Sequence, residues 1–177
     1  MTSATYYTTI VAQDMMYKGY TYTPHTTPYP QSIHVHTTPG TQVDHVVASG
    51  ALVTSITGQC PQWTRARTAM AGFRLRQDQV LGCRVTLRHD IMWNFMHKVV
   101  HMAWTRHRDY QGLSMTSMNT LGHWSIGCRD VFMYPEVEYL WEYIPGVQGL
   151  DMSFVCSPTS PALAACLWSG LAIPVKM

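Results

Sequence analysis

His97 and His101 stand four residues apart on a segment with helical apolar spacing, so two imidazoles could meet one zinc ion there. Residue 98 is Lys where a zinc protease would carry Glu, and no third ligand follows from spacing, so a structural or solvent-facing pair is expected. His34 and His36 alternate onto one face of a short strand and carry the same expectation. Cys60 or Cys83 could act as a nucleophile with a histidine as base, but nothing in the sequence orients such a pair. Glu136, Glu138 and Glu142 fall within YPEVEYLWEY, which suits a solvated or partner-facing surface better than a paired acid and base. The run GQCPQWTRARTAMAG lacks the G-K-[ST] ending of a phosphate-binding loop. A metal- or thiol-dependent enzyme using His97/His101 or Cys83 is therefore the weaker of two functional classes. No catalytic residue, metal or cofactor is assigned.

The stronger class rests on arginine. Charged residues make up 12% of the chain and the net charge is +2. Yet residues 60–90 hold Arg65, Arg67, Arg74, Arg76, Arg84 and Arg88 against Asp78 and Asp90, whereas residues 130–177 are acidic apart from Lys176. A basic middle and an acidic end imply two different partner surfaces. Arginine outnumbers lysine nine to three, and its planar fork suits phosphates and base stacking, although biased genomic base composition would produce the same preference. In TRARTAMAGFRLR the arginines and threonines sit beside Ala66, Ala69, Ala71 and Gly72, small residues that let a backbone approach phosphates closely.

These residues need elements to position them. At 177 residues the chain reads as one domain: residues 1–60 form an N-terminal helix and strand part, 61–90 an Arg-rich hairpin, and 91–177 the helix and sheet that complete the core. Apolar spacing predicts helices over 4–18, 43–56, 91–104 and 161–169, the third capped by Asp90 and burying Ile91, Phe95, Val99 and Met102. Alternation predicts strands at 32–37, 124–128, 131–134 and 150–156, and a hairpin of 73–76 with 83–88 whose polar tip is 77–82. Residues 106–123 read as a long polar loop. The mixture without a βαβ rhythm points to α+β: an antiparallel sheet, helices on one face and a protruding hairpin. Five scattered cysteines without a C-x-x-C pair fit a reducing compartment. No run of eighteen apolar residues exists, so no membrane partner is expected, and the opening residues show neither a signal nor a transit peptide.

The run ITGQCPQWTRARTAMAGFRLRQDQVLGCRVTLR resembles the universal large-subunit ribosomal protein five family, with its S-G-Q-K-P and A-G-F-K-I-R signatures and closing G-C-K-V-T-L-R. The likeness continues in order through MWNFMHKVV, RHRDYQGLS, GHWSIGCRDVFMYPEVEY and VQGLDMSF, and more weakly through YYTTIVAQDMM and LAIPVKM at the two ends. Departures are local: the family's L-N-M-G-V-G loop stands here as residues 34–40, the tip's G-x-P-I-G as residues 79–82, and the usual lysines as Arg, Thr or uncharged residues.

The resemblance implies a structural RNA-binding protein of the large ribosomal subunit, in its central protuberance. It implies contact with 5S-type and large-subunit rRNA through Gln59, Thr64, Arg65, Arg67 and Thr68, with Arg74, Arg76, Arg84 and Arg88 as hairpin contacts. The tip, Gln77, Asp78, Gln79, Val80, Leu81 and Gly82, would reach a P-site tRNA, with Asp78 turned away or paired with Arg76. A bridge to a small-subunit head protein falls to Arg106, Arg108, Asp109, Gln111, Glu136, Glu138, Glu142 and Gln148. Neighbouring large-subunit proteins would cover the remainder. Scarce lysine without a visible presequence points to the mitochondrial ribosome, with a plastid ribosome as the alternative.

Overall fold

A computed structural model describes residues 3–18, 20–107, 110–138, 142, 149–157 and 160–176. The chain begins helically with α1 (Ser3–Tyr6), a π-helical stretch (Tyr7–Val11) and α2 (Ala12–Tyr17). Strand β1 (Pro30–Thr37) and helix α3 (Val43–Thr57) follow, the helix stopped by Gly58 at φ 71°. Next come β2 (Gln62–Arg65), a 3-10 turn (Ala71–Phe73) and β3 (Val80–Leu87). Helix α4 (His89–Lys98) runs through a π turn (Val99–Ala103) into α5 (Trp104–Arg106). The remaining elements are β4 (Leu113–Ser114), a 3-10 turn (Met115–Ser117), β5 (Trp124–Cys128), β6 (Leu150–Cys156), α6 (Pro161–Gly170) and β7 (Val175–Lys176). No described helix is long and apolar enough to cross a membrane.

The fold is α+β around a five-stranded antiparallel sheet ordered β2-β3-β1-β6-β5. Cross-strand partners fix the directions. Trp63 faces Cys83 in an antiparallel ladder; His34 bonds Thr86 while Thr37 meets Gly82, Tyr29 bonds Ser157 while Thr37 bonds Gly149, and Ser125 bonds Ser153 while Cys128 meets Gly149, so in each pair one strand ascends as its neighbour descends. Contacts divide the chain into two compact units, Met1–Ile33 with Arg88–Ile126 and Ser153–Met177, and His34–Leu87 with Gly127–Met152.

In the first unit Phe154 of β6 lies 6.1 Å from the Trp104 ring and 5.8 Å edge-on from Trp168 of α6, so both helical segments close on the same strand. The Trp168 indole donates to the Gly122 carbonyl, and Ser160 caps α6 by accepting from the Leu163 amide. In the second unit α3 packs against β3, burying Leu52, Val53 and Ile56 with Cys83, Val85 and Leu87.

Four expectations need correction. The helix after the arginines is capped by extended Arg88, which makes no side-chain cap bond. Asp90 lies inside the first turn instead, where its charge suits the helix dipole. Its buried stripe is Met92, Phe95, Met96, Val99, Val100 and Ala103, leaving Ile91 42% and Met102 46% exposed. Residues 131–134 turn rather than extend: the Asp130 carboxylate accepts from the Phe132 amide, the Tyr134 amide bonds back to Val131, and Pro135 offers no ladder donor. The expected loop 106–123 contains β4, which pairs in parallel with β7 through Leu113 and Val175, and its Ser114 carbonyl accepts from the buried Trp124 indole.

Candidate nucleic-acid interface

The arginine hairpin exists, but with a different partner strand. β3 pairs with β2, Gln62 facing Arg84 and Arg65 facing Val80, not with residues 73–76. Beyond Arg65 the two arms stay bonded through Ala66 with Gln79 and Asp78, and again where Met70 bridges Leu75. The arm therefore turns over at Ala71–Phe73 and Arg74, the latter at φ 54°. Phe73 at this turn is 74% exposed, and Met70 beside it 50%. The expected tip 77–82 divides. Gln77, Asp78 and Gln79 form a bend held by the Gln79 side-chain carbonyl, which accepts from the Arg76 amide. Val80, Leu81 and Gly82 belong to β3, and Gly82 is packed against the Thr37 carbonyl. Four alternating residues could not by themselves reveal which strand they would pair with.

Along this arm Arg65, Arg67, Thr68, Arg74, Arg76 and Arg84 are exposed, and so is Arg88 at the start of α4. Among the described residues none of these arginines forms an ion pair, and Asp78, at φ 60°, makes none with Arg76. Arg84 is anchored, donating from Nε and Nη2 to the Gln62 side-chain oxygen at 3.3 and 3.1 Å. Five guanidinium groups along one arm, against the single carboxylate of Asp78, raise the local potential and invite anions. Thr64 Oγ1 is buried without a hydrogen-bond partner among the described residues, and Gln59 donates weakly to the Thr86 carbonyl at 3.5 Å.

Beside the arm a polar groove of about 480 Å³ opens on the outward face of the sheet, lined by His34, His36, Gln59, Gln62, Arg84 and Thr86 among others. Sequence spacing alone gives these histidines no such neighbours. What brings them to this groove is the pleat, which points His34 and His36 outward while Ile33 and Val35 are buried.

The enzyme-class residues lie elsewhere. Cys83 is buried, and desolvation pushes its thiol up, partly countered by the Ser49 hydroxyl, which disfavours a thiolate nucleophile. The His97 and His101 rings sit 4.4 Å apart in a 330 Å³ cavity lined by Tyr6, Met96, Val100 and Leu171. Among the described residues no three His, Cys, Asp or Glu side chains converge as a metal cage. Of the bridge residues, exposed Arg106 and Gln111 belong to the first unit, Gln111 accepting from the Lys176 ammonium at 3.0 Å. Glu138 and Glu142 are exposed and Glu136 half-buried in the second unit. Arg108, Asp109 and Gln148 lie outside the described residues.

With this geometry in place, comparison with known proteins becomes decisive. A family model for the C-terminus of the ribosomal protein uL5 family matches residues 80–175, more than half of the chain. The chain belongs to the uL5 family. It is 40% identical over 124 residues to the large ribosomal subunit protein uL5 of Chlorobium phaeobacteroides, covering 70% of this chain and 62% of that protein. It is 41% identical over 121 residues to the uL5 of Prosthecochloris aestuarii, covering 68% and 61%. The same identity and length hold for the uL5 of Chlorobaculum tepidum, covering 68% and 65%. The chain thus spans about three fifths of the length of the curated uL5 relatives it matches. The family match begins at Val80, so β3 through α6 lie inside it, whereas most of the arginine arm lies before it.

Proposed function

We propose that this chain is a structural, non-catalytic constituent of the large ribosomal subunit that binds 5S-type and large-subunit rRNA. The observation that carries the reading is the arm from β2 to β3, with five arginines outside any described ion pair beside a polar groove, in a chain of a ribosomal protein family. Gln59, Thr64, Arg65, Arg67, Thr68, Arg84 and Arg88 would hold the rRNA. Arg74 and Arg76 would extend that contact toward the turn.

The arm's outer end would meet a P-site tRNA. The exposed turn from Met70 to Arg74 joins Gln77, Asp78 and Gln79 in that role, whereas Gly82 is committed to the sheet. Apolar Phe73 between arginines suits a partner recognised by shape, backbone and stacking rather than by sequence. The contact with a small-subunit head protein would use exposed Arg106 and Gln111 and the acidic 136–142 segment, polar surfaces of the kind that form and break repeatedly. Scarcity of lysine supports a mitochondrial ribosome, ahead of a plastid one.

Filter binding to a transcribed bacterial 5S rRNA over a series of salt concentrations tests the RNA reading. Arg65→Ala with Arg67→Ala should weaken binding and flatten the logarithmic salt slope by about 1.4–1.8, the loss of two phosphate contacts. An unchanged slope would assign these side chains to protein or solvent. Failure of the unsubstituted chain to bind would overturn the RNA reading.

A further inference from the structure

The imidazoles of His97 and His101, in the first unit, play no part in the contacts proposed above. His97 stands at the end of α4 and His101 in the π turn that follows. In that turn the Trp104 amide bonds to the Val99 carbonyl, an i→i+5 step. A wider turn sets residue i+4 more nearly above residue i than an α-helix does, where it lies about 40° further round the axis. The two rings accordingly meet, with centroids 4.4 Å apart and planes inclined at 45°. Both residues are exposed, and neither ring makes a hydrogen bond among the described residues. His34, by contrast, is committed to the Thr86 hydroxyl.

A neutral imidazole keeps one ring nitrogen with a free lone pair, and two such rings side by side make a chelate for cations that prefer nitrogen, Zn²⁺, Ni²⁺ or Cu²⁺. Rings bound to one ion through nitrogens at about 2.0–2.1 Å have centroids roughly 4.5–5 Å apart, so the observed spacing needs only a small adjustment. The pair lines a cavity of about 330 Å³ together with Ser3, Tyr6, Met96, Val100 and Leu171. No Lys or Arg side chain lines it, so nothing in the cavity repels a cation. The neighbouring Lys98 is half-buried and does not line it.

The geometry points to a two-imidazole site for a divalent transition cation at His97 and His101, with water on the open side completing the coordination. The bound ion spans the end of α4 and the π turn and so holds the wide turn in place. With two protein ligands it differs from the closed four-ligand zinc sites on which whole domains depend for folding.

The test is titration of zinc or nickel chloride into the full chain, stripped beforehand with a chelator and held at about pH 7.5, where imidazole is ordinarily neutral. Calorimetry should show a single equivalent bound with a Kd of about 1–200 µM, half the binding free energy of a four-ligand zinc site. His97→Gln and His101→Gln should each weaken binding about a hundredfold, a quarter share of such a site. His25→Gln, at an exposed histidine elsewhere in the first unit, should leave the affinity unchanged. In nuclear magnetic resonance spectra, substoichiometric Ni²⁺ should broaden the ring-proton signals of His97 and His101 before those of any other histidine.

No heat and no selective broadening at metal concentrations well above that range overturns the inference. So does an unchanged affinity in a folded His97→Gln, His101→Gln variant, or broadening that starts at another histidine such as His36. Should circular dichroism show the variants unfolded, the order of broadening in the unsubstituted chain decides, since it needs no substitution.

Discussion

Replacing Gly82 by alanine tests how the arm is joined to the sheet. Gly82 sits in β3 opposite Thr64 of β2, and a Cβ built on it would stand well inside van der Waals contact distance of the Thr37 carbonyl oxygen and 3.0 Å from Thr38 Cα. Both obstacles are backbone, so no flexible side chain can swing away. β1 and β3 would have to separate by about an ångström, which stretches ladder hydrogen bonds between two neighbouring strands. Overpacking of this kind costs about 1–3 kcal/mol, and the upper half of that range applies because the obstacle is main chain. Alanine recovers about 0.4–1 kcal/mol by restricting the unfolded chain, leaving a net loss of about 2 kcal/mol. With a urea m-value of about 2 kcal/mol/M, the unfolding midpoint should fall by about 1 M with m unchanged. Tryptophan fluorescence reports the transition, since Trp124 and Trp168 are fully buried. Gly72→Ala at the turn, where a Cβ meets nothing within 4 Å, is the control and should leave stability within about 0.5 kcal/mol of its starting value. An unshifted midpoint for Gly82→Ala would refute the close approach. An equal fall for Gly72→Ala would show that the arm's outer turn, not its junction, limits stability.

Other outcomes follow from the same geometry. Phe95→Ala should destabilise by about 3–5 kcal/mol, whereas Ile91→Ala should cost under about 1 kcal/mol because its side chain is 42% exposed; equal losses in thermal or urea unfolding would restore the face expected from sequence. Iodoacetamide or maleimide should label exposed Cys60 rapidly in the native protein and buried Cys83, Cys128 and Cys156 only on unfolding, with Cys60→Ser removing the fast phase in mass spectrometry. Burial, aided by Asp151, pushes the Cys128 thiol up to about 11, and burial, aided by Tyr29, pushes the Tyr7 phenol up to about 12. The folded state therefore holds protons that the unfolded chain releases near the ordinary values of 9.0 and 10.0, so stability should be level below about pH 9 and fall as pH rises through 11–12. Urea midpoints that stay flat up to pH 12 would contradict those burials, and Cys128→Ala should lessen the slope between 9 and 11.

Strand β6, α3 and α6 were legible because each pattern is local. Residues 150–156 alternate buried and outward along a single strand, Gly58 stops α3 in a left-handed conformation, and Ser160 with Pro161 opens α6. The cluster of arginines around residues 65–88 was legible too, since charge is a property of composition and not of pairing. By itself the sequence also carried the family, through motifs spread in order along the chain.

What only the tertiary structure decided was pairing and facing. FRLR alternates like a strand, yet the ladder of β3 was taken by Gln62–Arg65, because strand partnership is chosen by cross-strand contacts that no short window contains. The residue expected at a tRNA-facing tip, Gly82, became a point of close backbone approach for the same reason. Residues 131–134 had the composition of a strand, but a side-chain bond from Asp130 and a proline without a donor turned them instead. His34 and His36 looked unremarkable along the chain. They share a groove with Arg84 because β1 happens to be the strand on which β3 pairs, and adjacency in a sheet is a property of the whole fold.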